Sequence, residues 1–243
     1  MGIPNPEHQL DHTFSEEERA AVYKTIYSRR DVRGQFKPDP IPDDVLARII
    51  QAAHHAPSVG FMQPWNFLLI QRPETKKKIH DIFLAANEQA ADMFEPEQSV
   101  QYKKLKLEGI IESPINLVIT CDRDRGGSVI LGRTHDKSMD LFSSVCAVQN
   151  LWLAARAEGV GLGWVSIFNK KALKQALKLP KSVSPVAYLC LGYVEHFYTE
   201  PELEVKGWRK RIPAEELLCF EEWGNTDTTG NEGLYQALAD SNN

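Results

Sequence analysis

Patterned cysteine is missing from this sequence. Four cysteines, Cys121, Cys146, Cys190 and Cys219, are scattered over 243 residues with no C-x-x-C pair. That excludes a disulfide scaffold and points to reduced thiols, three of them set in apolar runs. Histidine offers no H-E-x-x-H or comparable spacing, and the neighbours His54 and His55 read as a helix-end pair, so no metal is expected. No apolar run approaches the length of a bilayer span, and Met1 to Asp11 lacks the core of a signal peptide. A soluble, cytoplasmic protein is therefore expected. Repeats, low-complexity tracts and a P-loop are also lacking. So is an excess of positive charge: 28 Lys and Arg against 33 Asp and Glu give −5, which argues against general nucleic-acid binding but permits a local anion site.

What remains is an ordinary globular composition, 42% hydrophobic and 25% charged, on a chain long enough for one large core. Ser15 with Glu18 forms a capping-box pattern opening a helix to about Ser28, with Ala21, Val22, Thr25 and Ile26 on its apolar face. Pro42 and Asp43-Asp44 open a second helix carrying Val45, Leu46, Ile49, Ile50 and Ala53 on one stripe. Trp65–Ile70 reads as a strand. A third helix from Pro73 to about Ala91 is broken by residues 92–97 from an amphipathic segment near 98–111, an arrangement of either a helical hairpin or a movable flap. Ile115–Cys121 is a near-continuous apolar strand, and residues 122–137 form an exposed loop. The helix from Ser138 to Glu158 is apolar on nearly every side and must be covered, in the core or by a second subunit. A short lysine-rich helix follows from Asn169 to Leu179, and Pro185 opens a last strand, Val186–Val194. The polar tail after Gly224 is expected to fray. Four separated strands among longer helices predict a layered α/β arrangement.

The organising stretch is Ser28-Arg29-Arg30-Asp31-Val32-Arg33. Three guanidiniums within five residues repel one another unless an anion or several carboxylates face them. Their planar forks suit a phosphate monoester. Asp31 does nothing for phosphate, so either it pairs with its neighbours on a solvated helix end or it has chemistry of its own. The surrounding arginines are expected to lower its pKa and keep it ionised. A second cluster, with Arg209 and Arg211, stands far downstream. Between them, Ala56-Pro57-Ser58-Val59-Gly60-Phe61-Met62-Gln63-Pro64-Trp65-Asn66 is a loop of fixed shape whose Ser58, Gln63 and Asn66 suit either a heterocycle edge or an ordinary helix-to-strand connection. The glycines 159, 161 and 163 come after a helix and before a strand, the reverse of a dinucleotide fingerprint, which rules out a Rossmann reading there.

Four pieces together, R-R-x-x-R at 29–33, A-P-S-x-x-x-x-Q-P-W at 56–65, E-G-x-G-x-G-W at 158–164 and R-K-R-I-P at 209–213, resemble the FMN-dependent nitroreductase superfamily over about 200 residues. The resemblance implies an α+β fold: a homodimeric three-layer α/β/α sandwich with a mixed central sheet and FMN at the subunit interface. It implies a single domain over 14–224, a helical lid around 88–112, and flexible tails at 1–13 and 225–243. Within the superfamily the chain is similar to a branch that uses reduced FMN and O2 to break down the flavin itself, supplied by a separate flavin reductase. That likeness assigns Asp31 and Ser166 to the chemistry. It gives Arg29, Arg30, Arg33, Arg209 and Arg211 to the ribityl phosphate and Ser58, Gln63 and Asn66 to the ring or ribityl groups. Rival readings are an NAD(P)H-dependent nitroreductase or flavin reductase that preserves its FMN, and a non-catalytic FMN-binding protein that would not require Asp31 or Ser166.

Overall fold

The computed structural model describes residues 13–241. They fall into two compact units divided between Thr199 and Glu200.

In the first unit the helices are α1 (Glu16–Ser28), α2 (Asp43–His54), α3 (Pro73–Ala91), α4 (Pro96–Tyr102), α5 (Met139–Ala157) and α6 (Lys170–Ala176). The strands are β1 (Trp65–Ile70), β2 (Ile115–Asp122), β3 (Val160–Val165) and β4 (Val183–Tyr193). They form one sheet in the order β1-β2-β4-β3, so β1 and β3 are its two edges. All three ladders are antiparallel; the parallel pairing is a single bridge from Asp31 to Leu162 on the outer edge of β3.

Side-chain alternation along the strands builds the three layers. Leu117, Ile119, Leu162, Leu189 and Leu191 face one cluster with Leu46, Ile49 and Ala53 of α2 and Ala147, Val148, Leu151 and Trp152 of α5. Val118, Val165, Tyr188 and Cys190 face the other, with Ile79 and Phe83 of α3 and Leu173 of α6. Because β2 is covered on both faces, its sequence runs apolar instead of alternating. Pro185 lies inside β4, at a register shift where Thr120 pairs with it and Ile119 pairs with Ala187. A bulge is where a strand tolerates proline, because no ladder N–H is required there.

α5 buries Ser143, Ser144, Ala147, Val148, Leu151, Trp152 and Ala155 but leaves Phe142 and Val145 exposed. α1 opens with the expected capping box, yet none of its residues is buried, so Val22, Tyr23, Ile26 and Tyr27 stand open to solvent. The amphipathic segment expected over 98–111 is helical only to Tyr102. Beyond it, Glu108 and Ile110 are buried, and Asn116 Nδ2 donates to the Ile110 carbonyl at 3.1 Å. Residues 107–113 therefore belong to the scaffold, which limits any movable cover to the stretch before them.

The second unit, described by itself, holds α7 (Glu202–Val205), a 3-10 turn over Ala214–Leu217 and α8 (Glu232–Asp240). The stretch expected as a frayed tail after Gly224 thus contains a helix, its apolar residues Leu234, Tyr235 and Leu238 recurring at helical spacing. Residues 1–12 of the other expected tail lie outside the described residues. Among the described residues no helix is long and apolar enough to cross a membrane, and Cys121, Cys146, Cys190 and Cys219 are all free thiols, Cys219 exposed.

Candidate functional site

The arginine stretch leaves α1 and runs along the outer edge of β3. Val32 N–H donates to the Leu162 carbonyl at 2.9 Å. Further on, Lys37 N–H donates to the Tyr193 carbonyl at 2.8 Å, so the stretch closes over the end of β4 as well. Such proximity needs the glycines. A Cβ on Gly163 would stand 1.9 Å from the Val32 carbonyl oxygen, and one on Gly161 2.4 Å from Val194 Cγ1. Gly161 and Gly163 therefore lie within the strand, where sequence order placed them before it, and serve as the contact surface for the arginine stretch. Gly159 has φ +73° and ends α5 in the left-handed conformation usual for a helix C-terminus.

This contact fixes Asp31. Its Oδ1 accepts the Trp164 backbone N–H at 3.0 Å and its Oδ2 pairs with Arg33 Nη2 at 2.6 Å. Its side chain keeps 29% of its exposure, against 11% for Arg33. Burial pushes the Asp31 carboxyl above the ordinary aspartate range, overriding the opposite pull of Arg33, the Trp164 N–H and Arg29. The expectation that the arginines lower this pKa is thus reversed: desolvation at the strand edge outweighs them.

The three arginines differ in their surroundings. Arg29 lies with its guanidinium carbon 4.4 Å above the Trp152 ring. Arg33 is paired with Asp31. Arg30 donates to the carbonyls of Tyr27 and Arg29, both at 2.7 Å, and to that of Thr199, which binds the end of α1 to the chain near residue 199. Arg209 and Arg211 are exposed in the second unit, where Arg211 N–H donates to Glu204 Oε1 at 3.2 Å.

Ser166 is exposed just past the end of β3 and lines a cleft of about 290 Å3 with Trp164, Phe168, Lys170 and Tyr188. Only Val165 stands between it and Trp164, so its backbone lies within roughly 7 Å of that donor along the chain.

The other group gathers at the opposite edge of the sheet. Ser58 Oγ accepts the Gln63 N–H at 3.0 Å across a 3-10 turn, Val59–Phe61; Gly60 and Phe61 within the turn and Gln63 just beyond it all have positive φ. Two non-glycine residues in that region mark a turn held against local preference, a trait of binding sites. Arg125 then ties the loop together: it donates to the Gln63 and Trp65 carbonyls at 2.9 and 2.8 Å and to Asn66 Oδ1 at 2.7 Å. With His54, Met62 and Phe67, these residues line a cleft of about 410 Å3.

Arg125 and Trp152 were not singled out by sequence. Arg125 lies in a loop of mixed charge, 59 residues from Asn66, and nothing local marks it. Trp152 has the look of one more apolar residue of α5. As donors, two guanidiniums, a hydroxyl and side-chain amides suit an anionic, polar-edged heterocycle such as a phosphorylated flavin.

Residues 26–193 match the model of the nitroreductase family, and the chain belongs to that family. Among its relatives is a protein of Rhodospirillum rubrum named 5,6-dimethylbenzimidazole synthase, 40% identical over 76% of this chain and 87% of its own length. A protein of Rhodobacter capsulatus with the same name is 36% identical over 83% of this chain and 97% of its own. The fold is shared with iodotyrosine deiodinase bound to FMN and 3-iodo-L-tyrosine, at TM-score 0.64 and 18% identity over 79% of this chain and 96% of that one. A nitroreductase family protein from Clostridium novyi superposes at TM-score 0.56, 24% identical over 86% of this chain and 98% of its own.

Proposed function

We propose that this protein is an oxidoreductase that fragments reduced FMN with O2, releasing 5,6-dimethylbenzimidazole, the lower-ligand base of cobalamin. The observation that carries the reading is the setting of Asp31: a carboxylate fixed by Arg33 and the Trp164 N–H at the edge of β3, in a chain 36–40% identical to synthases of that base. A family member that only recycles its flavin has no need of a carboxylate among phosphate-binding arginines.

Reduced FMN supplies both the electrons for O2 and the carbon atoms of the product. The chain's residues bind, orient and move protons. Arg29, braced on Trp152, and Arg33 hold the phosphate by charge-assisted hydrogen bonds, each contributing on the order of 1.5–3 kcal/mol. Asp31, once ionised, accepts a proton from the ribityl chain. Ser166 donates a hydrogen bond to the ring system from the cleft it shares with Trp164. Ser58, Gln63 and Asn66 orient the heterocycle. A separate flavin reductase supplies the reduced flavin.

The sheet order bears on assembly. Asp31 and Ser166 lie at the β3 edge, whereas Gln63 and Asn66 lie at the β1 edge. Three strand spacings, roughly 14 Å, separate those edges, with β2 and β4 between them. We therefore read the site as shared: one subunit contributes the arginines and Asp31, and its partner contributes the Ser58–Asn66 loop. The exposed Phe142 and Val145 of α5 and the apolar residues of α1 supply surface for such a homodimer.

The test is product analysis after one aerobic turnover with chemically reduced FMN. Loss of flavin with appearance of the benzimidazole is expected, and Asp31→Asn should retain FMN binding while losing the product. Simple reoxidation of intact FMN would sink the reading and leave a reductase or a flavin binder, which NADH consumption then separates.

A further inference from the structure

Between Glu158 and Glu195 the sequence contains no acidic residue, yet it holds Lys170, Lys171, Lys174, Lys178 and Lys181. All five lie on or just beyond α6. Among the described residues none of them forms an ion pair with a carboxylate, and four are exposed. Lys174, half-buried, donates to the Lys181 carbonyl at 3.0 Å, which holds the α6 lysines and the turn after them as one surface. Together with Gln175 and Leu179 the five line a shallow groove of about 810 Å3. In a chain of net charge −5, five uncompensated cations on one face are a departure from the surrounding field.

The groove adjoins the chemistry. Lys170 lines it and also lines the smaller cleft that contains Ser166 and Trp164, the residue whose N–H holds Asp31. We propose that the lysine face of α6 is an electrostatic approach surface for the phosphorylated flavin, collecting the anion and passing it by way of Lys170 toward the Ser166 cleft. An acidic protein repels a phosphate monoester at long range, and a basic groove beside the entrance reverses that locally. Steering of this kind raises association rates by about 10- to 1,000-fold and fades as salt screens it. The exposed ammonium groups would stay strongly hydrated, so they contribute to arrival and little to retention. This inference rests on the flavin-binding reading above.

The experiment is stopped-flow binding of FMN and of riboflavin, which lacks the phosphate, to the full-length protein, followed by flavin fluorescence at low and high salt. With Lys171, Lys174 and Lys178 all changed to Gln, the FMN on-rate should fall about three- to tenfold at low salt, with the off-rate unchanged. The difference should vanish at about 0.5 M salt, riboflavin should be unaffected, and the triple Lys→Arg variant should keep the wild-type on-rate. An unaltered FMN on-rate, or an equal slowing of riboflavin, overturns the steering role and leaves the face to an acidic protein partner. A wild-type chain that binds no FMN overturns both this inference and the reading beneath it.

Discussion

A backbone amide and a guanidinium hold Asp31, and burial still wins over both. The sign of that balance has two consequences. If the ionised carboxylate is the base, activity must rise with pH through the folded-state pKa, so the acidic limb of the pH–rate profile should lie above the ordinary aspartate range. Asp31→Asn should lose the product at every pH across that limb while still binding FMN. The second consequence concerns folding. A carboxyl whose pKa is higher in the folded than in the unfolded chain binds more protons when folded, so its contribution to stability falls as pH rises through the window between the two values. Urea unfolding of the wild type and Asp31→Asn, followed from about pH 4 to pH 8, should show the difference shifting in favour of the variant with rising pH; the opposite drift would mean the arginines dominate after all. The charge pattern of the stretch was legible in the sequence and the desolvation was not, because desolvation comes from β3, more than 120 residues away. Arg30 shows the same limit: one of its hydrogen bonds ends on the Thr199 carbonyl, 169 residues distant.

Most elements were legible where the signal is local. The Ser15–Glu18 box, Pro73 at the start of α3 and the apolar run of β2 each mark their own boundaries. The glycines of β3 were not, because their role is a contact with a segment far away in sequence. Gly163→Ala would set a methyl against the Val32 carbonyl, which is backbone and cannot rotate aside. It should lift the Asp31 segment off the strand, with loss of activity and destabilisation of about 1–3 kcal/mol. Gly159→Ala is the control: the cost is about 1 kcal/mol for the left-handed cap, and activity should be retained. Thermal melts and turnover on the two variants separate a contact from a cap. The loop before α5 makes a parallel case. Asp140 is fully buried and accepts Arg123 Nε at 2.8 Å and Arg133 Nη1 at 2.9 Å, clamping residues 123–133 to the start of α5. That same loop delivers Arg125 to Gln63 and Asn66. Asp140→Ala leaves two guanidiniums without their shared partner and should cost about 3–5 kcal/mol in denaturant unfolding.

At the scale of the whole molecule, the placement of the two residue groups on opposite edges of one sheet has a quantitative consequence. Suppose one chain carries Asp31→Asn and another carries Gln63→Ala with Asn66→Ala, each inactive as a homodimer. If every site were built within a single chain, mixing them would give dimers in which each site is still broken, and no activity would return. If each site draws its arginines and Asp31 from one subunit and its loop from the other, the mixed dimer contains one doubly damaged site and one intact site. Random reassortment makes about half of the dimers mixed, so about a quarter of the wild-type product should reappear. Unfolding and refolding the two variants together, against the same variants refolded apart, gives the comparison. The exposed apolar residues point the same way, since Phe142 and Val145 on α5 are wasted unless another surface covers them. Val145→Glu should therefore lower the sedimentation coefficient toward that of a single chain and remove flavin binding with it, although Val145 lines neither cleft. A monomeric Val145→Glu protein that still fragments reduced FMN would show that one chain suffices, and the shared site would fall.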